Sequence, residues 1–163
     1  MNLTLDEKKS WPIAFEKPLI IAGPCSAESE DQMLNTANEL KKHPNILFRA
    51  GIWKPRTRPN SFEGIGERAL KWMDAVKKKT GLPTTTEVAN AHHVEQALKH
   101  DIDVFWIGAR TTVNPFAIQE IADALKGTNK PVMVKNPMNP DVNLWMGAIE
   151  RLNAVGLTKI AAI

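Results

Sequence analysis

The sequence predicts an α/β fold, a (β/α)8 TIM barrel truncated here to about six strands and five helices, and three observations carry that reading. Short apolar runs bounded by turn residues recur along the chain. Segments with helical apolar spacing lie between them. The strand starts at Pro18 and Thr158 stand five units apart, a mean spacing of roughly 28 residues, which is the length of a βα unit. A uniform β-α alternation implies a parallel sheet with crossover helices. A closed barrel needs eight such units and typically about 250 residues, against 163 here.

In chain order, the strands are expected at Pro18 to Gly23, Ile46 to Gly51, Pro83 to Val88, Asp103 to Gly108, Pro131 to Asn136 and Thr158 to Ile163. Their near-continuous apolar runs read as strands buried on both faces. Helical spacing is clearest in Met33, Leu34, Ala37 and Leu40, and again in Ile118, Ile121, Ala122 and Leu125. Asn114 followed by Pro115 supplies an N-cap and first turn, while Gly81, Gly127 and Gly156 close three helices. The predicted organisation is an N-terminal arm over residues 1–17 and a partial barrel catalytic domain over 18–163 that lacks the last units.

Composition narrows the classes. At 43% hydrophobic and 24% charged residues the chain has the balance of a globular protein with one core, not of a disordered or collagen-like one. The single cysteine, Cys25, forms no intrachain disulfide, which suits a reducing compartment. A formal charge of +3, dispersed along the sequence, indicates no nucleic-acid partner. No apolar run approaches the roughly 18 residues of a membrane span, and Met1 to Pro12 is polar and mixed in charge. A cytoplasmic protein without membrane attachment is expected.

Polar residues gather at the carboxyl ends of the strands: Cys25 after the first, Arg49, Lys54 and Arg56 after the second, Glu87 at the third, Arg110 after the fourth and Lys135 at the fifth. In a barrel these ends share the face that holds the active site. Five cations and one carboxylate would then converge over a rim on the order of 15 Å across. Such a concentration of like charge calls for anionic ligands.

Plainer readings stand beside these. Cys25 is also compatible with a small core residue, and Lys54, Arg56 and Arg58 with a solvated loop. Arg110 and Lys135 each end an apolar strand, so both are expected to be partly buried and in need of a partner, a need Glu87 could meet. His92 and His93 open a helix in solvated or capping roles, and His43 and His100 lie at helix ends. Trp72, Trp145 and Met146 read as helix-to-barrel packing.

With Gly23-Pro24-Cys25-Ser26, Phe48-Arg49-Ala50-Gly51, Lys54-Pro55-Arg56-Thr57, Thr86-Glu87-Val88 and Gly108-Ala109-Arg110 in this order, the sequence resembles the 3-deoxy-D-arabino-heptulosonate 7-phosphate (DAHP) synthases, transferases of the first step of the shikimate pathway toward chorismate and the aromatic amino acids. The likeness runs from about residue 18 to the end, with a short arm like that of the type I beta branch. The Lys-Pro-Arg-Thr sequence separates it from the sister 3-deoxy-octulosonate 8-phosphate synthases, which carry Lys-Ala-Asn-Arg there. It departs from the family pattern at Thr111-Thr112-Val113, where relatives often have Asn-Met-Gln, and at Asn136-Pro137, where many of the beta branch have Arg-Gly.

The resemblance implies roles for particular residues. Cys25 matches a ligand to a divalent metal of the Mn, Fe, Co or Zn class. Arg49, Lys54, Arg110 and Lys135 match groups that bind phosphoenolpyruvate, with Glu87 as an acidic residue of that site and Gly108 and Ala109 beside it. Pro55, Arg56 and Thr57 match the loop that receives erythrose 4-phosphate, and Lys54 is assigned proton transfer. The family's other metal ligands, a His, a Glu and an Asp, belong to segments after residue 163, so the piece alone is expected to be inactive. A homo-oligomer and a fused or associated chorismate mutase are further expectations. Two alternatives remain: a Schiff-base aldolase with Lys135 as nucleophile, and a non-catalytic phosphate-binding fragment.

Overall fold

The computed structural model describes residues 3–6, 11 and 18–163; the expected arm at 1–17 lies largely outside the described residues. All six expected strands form: β1 (Ile20–Ala22), β2 (Ile46–Arg49), β3 (Thr84–Val88), β4 (Val104–Ile107), β5 (Val132–Val134) and β6 (Ile160–Ala162), in the order β1-β2-β3-β4-β5-β6. The α/β class and the partial (β/α) barrel are borne out. Six α-helices occur among the described residues: α1 (Glu30–Leu40), α2 (Leu70–Thr80), α3 (Ala91–Lys99), α4 (Ala109–Thr112), α5 (Pro115–Leu125) and α6 (Val142–Ala154), with a single 3-10 turn, Gly66–Ala69, leading into α2. The expected count of five is one too low because α4 is a single turn, too short to show a periodicity.

By its contacts the chain divides into two compact units. One comprises Pro12–Glu87 and Gln96–Asp103. Here β1 pairs with β2 in parallel, Ala22 opposite Phe48, and β2 pairs with β3, Arg49 opposite Thr85. Helix α1 packs on α2, and Met33, Leu47, Phe48, Leu70 and Met73 are buried. Ser29 caps α1 by accepting from the Gln32 N–H. Gly81 ends α2 at φ 73°, a left-handed geometry that side chains with a Cβ resist, and its N–H reaches the Lys77 carbonyl.

The other unit comprises Met1–Trp11, Val88–Glu95 and Val104–Ile163. Strand β5 pairs in parallel with β4 and β6, Met133 opposite both Trp106 and Ala161. Phe105, Ile107, Ile118, Ile121, Leu125 and Leu152 form its core. Asn114 caps α5 as expected, accepting from the Phe116 and Ala117 N–H groups with Pro115 at the first position. His93 takes the expected capping role, its Nδ1 accepting from the Ala89 N–H while its own N–H donates to Asn90. Asp6 and Thr4 lie along this unit, the first donating its N–H to the Thr158 carbonyl and the second bonded to Asn153.

Burial on both faces holds for β2 and β5 but not for β1 or β6. Ile20 is 45% and Ile21 39% exposed, because a strand at the end of the order has one strand neighbour and its apolar side chains are covered from fewer directions. Met146 is likewise exposed instead of packing inward, whereas Trp145 packs as expected, its Nε1 donating to the Val134 carbonyl of β5. Among the described residues no helix is long and apolar enough to cross a membrane.

Candidate functional site

In the β1–β3 unit the strand ends bring Cys25, Arg49 and Lys54 together. Lys54 Nζ donates to the Cys25 carbonyl at 2.8 Å and lies 3.4 Å from Cys25 Sγ. The Lys54 hydrogen bond and positive charge hold the Cys25 thiol below its ordinary range; partial burial opposes this weakly, and Arg49 adds to the lowering. Cys25 is exposed, so its thiolate form is accessible.

Two glycines allow this approach. A Cβ on Gly51 would stand 2.4 Å from the Cys25 carbonyl oxygen and 2.9 Å from Lys54 Cδ. At Gly23, φ +146°, a Cβ would meet the Arg49 carbonyl oxygen at 2.0 Å, so bare backbone is required where the chain leaving β1 runs against the end of β2. The Ala27 N–H also donates to the Gly51 carbonyl. Sequence reading names the Phe-Arg-Ala-Gly motif without finding this function of Gly51; a glycine directly after an apolar strand is the signal that could have found it.

Beyond Lys54 the loop folds back on itself. The Lys54 N–H donates to the Glu63 carbonyl and Arg56 Nε to the Phe62 carbonyl, both at 2.8 Å. Pro55 is half-buried, while Arg56 and Thr57 are exposed. Glu87 sits within β3, half-buried, two residues beyond Thr85, the register partner of Arg49. Its neighbour Thr86 donates from Oγ1 to the Ala50 carbonyl, tying the ends of β2 and β3.

In the β4–β6 unit, Gly108, Ala109, Arg110 and Lys135 lie at the carboxyl ends of adjacent strands. The Lys135 N–H donates to the Ile107 carbonyl, and Thr112 Oγ1 donates to the carbonyls of Gly108 and Lys135. Thr112, missed in the sequence, is the clasp between these ends. Partial burial of Arg110 and Lys135 is not found: both are exposed. Arg110 is taken up into the turn of α4 and Lys135 follows β5, so each side chain leaves the apolar strand that precedes it.

A divalent metal would find in Cys25 a suitable thiolate donor. Among the described residues no group of three or more His, Cys, Asp or Glu side chains is placed to hold a metal ion. Within the β1–β3 unit, two cations, Arg49 and Lys54, stand beside an accessible sulfur.

The sequence model of the DAHP synthetase I family matches residues 12–162. A phospho-2-dehydro-3-deoxyheptonate aldolase of Thermotoga maritima is 33% identical over 141 residues, covering 86% of this chain and 40% of that protein. A 2-dehydro-3-deoxyphosphooctonate aldolase of Xanthomonas campestris pv. campestris is 40% identical over 86 residues, 48% of this chain and 31% of that protein. Among solved structures, the crystal structure of the Thermotoga maritima phospho-2-dehydro-3-deoxyheptonate aldolase (DAHP synthase) superposes with a TM-score of 0.76 at 29% identity, covering 88% of this chain and 40% of that one. A truncated form of the Thermotoga maritima 3-deoxy-D-arabino-heptulosonate 7-phosphate synthase gives 0.74 at 27% identity, covering 92% and 52%. The chain thus spans less than half the length of the curated relatives it matches.

Proposed function

From the premise that this chain belongs to the DAHP synthetase I family, we propose that it carries the N-terminal part of the barrel of a DAHP synthase, which condenses phosphoenolpyruvate with erythrose 4-phosphate as the first step of the shikimate pathway. The observation that carries this reading is the contact of Lys54, in its Lys-Pro-Arg-Thr loop, with Cys25 beside Arg49.

In this reaction C3 of phosphoenolpyruvate attacks the aldehyde of erythrose 4-phosphate, water adds at C2, and phosphate leaves by C–O cleavage. Arg49 and Lys54 of one unit, and Arg110 and Lys135 of the other, each match family groups for the carboxylate and phosphate oxygens of phosphoenolpyruvate; the arginines offer planar forks and the lysines compact charges. These cations also stabilise the negative charge that grows on the departing phosphate. Arg56 and Thr57, exposed on their loop, receive the phosphate of erythrose 4-phosphate. Lys54 moves a proton between the substrates. A divalent metal with Cys25 as one ligand, when bound, supplies Lewis-acid polarisation of the aldehyde. The Schiff-base alternative lacks a supporting observation: Lys135 is exposed, not set in the apolar pocket that activates such a lysine.

Calorimetric titration with phosphoenolpyruvate tests the reading. Arg49→Ala and Lys135→Ala are each expected to weaken binding about tenfold or more, the equivalent of about 1.4 kcal/mol. Affinity unchanged in both variants overturns it. In the assembled enzyme, Lys54→Ala at saturating concentrations of both substrates should abolish turnover; near-normal turnover removes Lys54 from the chemistry.

A further inference from the structure

Cys25 and Lys54 form a pair with a second chemistry that needs neither substrate. Sγ and Nζ lie 3.4 Å apart, so side-chain rotation alone can bring them to bonding range, and the Lys54 ammonium is held there by its hydrogen bond to the Cys25 carbonyl. Cys25 is exposed and is the chain's only thiol, so an oxidised Cys25 finds no second cysteine in the chain to form a disulfide. The amine of Lys54 is the nucleophile in contact with its sulfur.

We propose that Cys25 and Lys54 are a site of reversible oxidative cross-linking, in which a hydroperoxide, hydrogen peroxide as the simplest, converts the pair into a Cys25–Lys54 sulfenamide. In the first step Sγ attacks one peroxide oxygen, the O–O bond breaks, and the departing hydroxide takes a proton from the Lys54 ammonium. This leaves Cys25 as sulfenic acid, Lys54 as neutral amine and one water. In the second step the amine nitrogen attacks Sγ, an S–N bond forms, the S–O bond breaks, and the hydroxyl leaves with an amine proton as a second water. The sulfur loses two electrons and the peroxide gains two. The product carries one S–N bond in place of the thiolate and ammonium. Attack by an external thiol on the S–N bond restores Lys54 as amine and leaves a mixed disulfide, which a second thiol reduces.

Two features of the fold favour the bridge over further oxidation. The lysine is in place before oxidation, so ring closure needs no loop movement. Gly51 leaves the space in which Lys54 Nζ reaches the Cys25 carbonyl, which holds the amine beside the sulfur. Where the proposed function holds, the cross-link occupies the metal-ligand sulfur and the proton-transfer amine together and so blocks turnover; the cross-link itself is independent of that reading.

The experiment is intact mass spectrometry of the chain, freed of metal by a chelator and treated with hydrogen peroxide at a small molar excess, followed by digestion and mapping. The expected product is about 2 Da lighter than the untreated chain, maps as a Cys25–Lys54 linked peptide pair, and returns to the starting mass with dithiothreitol. In Lys54→Arg, which keeps the charge without a comparable nucleophile, the bridge should vanish and dimedone should instead capture Cys25 as sulfenic acid. A bridge that retains oxygen, a bridge to another amine, or dimedone capture of Cys25 in the native chain with no bridge overturns the proposal. Because the peptide map of the native chain identifies the partner directly, the test holds even where the variant fails to fold. Loss of phosphoenolpyruvate binding in untreated protein bears on the proposed function alone.

Discussion

The Lys54 ammonium touches Cys25 twice, at the carbonyl oxygen (2.8 Å) and at the sulfur (3.4 Å), across 29 positions of sequence. One side chain thus ties down the backbone of the β1 loop and, as the largest contributor, lowers the pKa of the only thiol in the chain.

The rate of Cys25 alkylation by iodoacetamide should follow from this contact. Lys54 stabilises the thiolate first by its hydrogen bond and then by its charge, with Arg49 contributing. The pH midpoint of alkylation is expected below the ordinary thiol range of about 8.5. Lys54→Met should move it up, and Arg49→Met should move it less. An unshifted midpoint in Lys54→Met would show that the contact does not govern the thiol.

Gly51→Ala places a methyl group against the Cys25 carbonyl, a backbone atom that cannot rotate away. The expected loss of stability is about 1–3 kcal/mol, as for other overpacked sites. Urea titration reads it, and the alkylation midpoint should rise toward the ordinary value as Lys54 and Cys25 are pushed apart. Wild-type behaviour in both measurements contradicts the close packing described.

Lys77 on α2 bonds to Asp101 at 2.7 Å and to Asp103 at 2.8 Å, and Asp103 in turn accepts from the N–H and hydroxyl of Thr84. Burial works to lower the pKa of Lys77, but the hydrogen bonds and charges of the two aspartates outweigh it and hold it above its ordinary range. A raised lysine pKa contributes stability that is complete below the unfolded value, about 10.4, and is lost as pH rises through the folded value. The melting temperature of the native chain should therefore fall more steeply than that of Lys77→Met above about pH 10.4. Asp103→Ala should destabilise more than Lys77→Met at neutral pH. The Asp103 side chain is only 16% exposed, and its removal strands the Thr84 donors and takes from Lys77 one of its two carboxylate partners.

Thr112→Val removes the hydroxyl that joins the Gly108 and Lys135 carbonyls while keeping the side-chain shape. A loss of about 1 kcal/mol is expected in denaturant unfolding. Under the proposed function, phosphoenolpyruvate affinity should fall with it, since the clasp positions the ends that bear Arg110 and Lys135. Unchanged affinity would separate the clasp from binding.

Much of this molecule is legible from short stretches of sequence. The six strands and the helices at 30–40 and 115–125 follow from apolar spacing, and the Asn114-Pro115 cap from the bonding capacity of one side chain near its own backbone. Arg110 shows where such reading fails. The run Val104 to Ile107 says that the strand is buried, but Arg110 lies in the turn of α4, where Thr112 bonds to Gly108 and to Lys135, the residue just after the next strand. Exposure at Ile20 and Ile21 is hidden for the same reason: composition reports what a side chain prefers, while its neighbours decide how far it is covered.

Taken alone, the amino-acid order determined the βα repeat, its caps, the family and the set of cations at the strand ends, because each depends on residues close together in the chain or on motifs held within a few positions. Tertiary structure decided that Lys54 meets Cys25, that Gly51 must have no side chain, and that Arg110 and Lys135 face solvent. Those facts arise from strand pairing and the approach of one backbone to another over tens of residues, distances at which the identity of a residue does not say which partner it will meet.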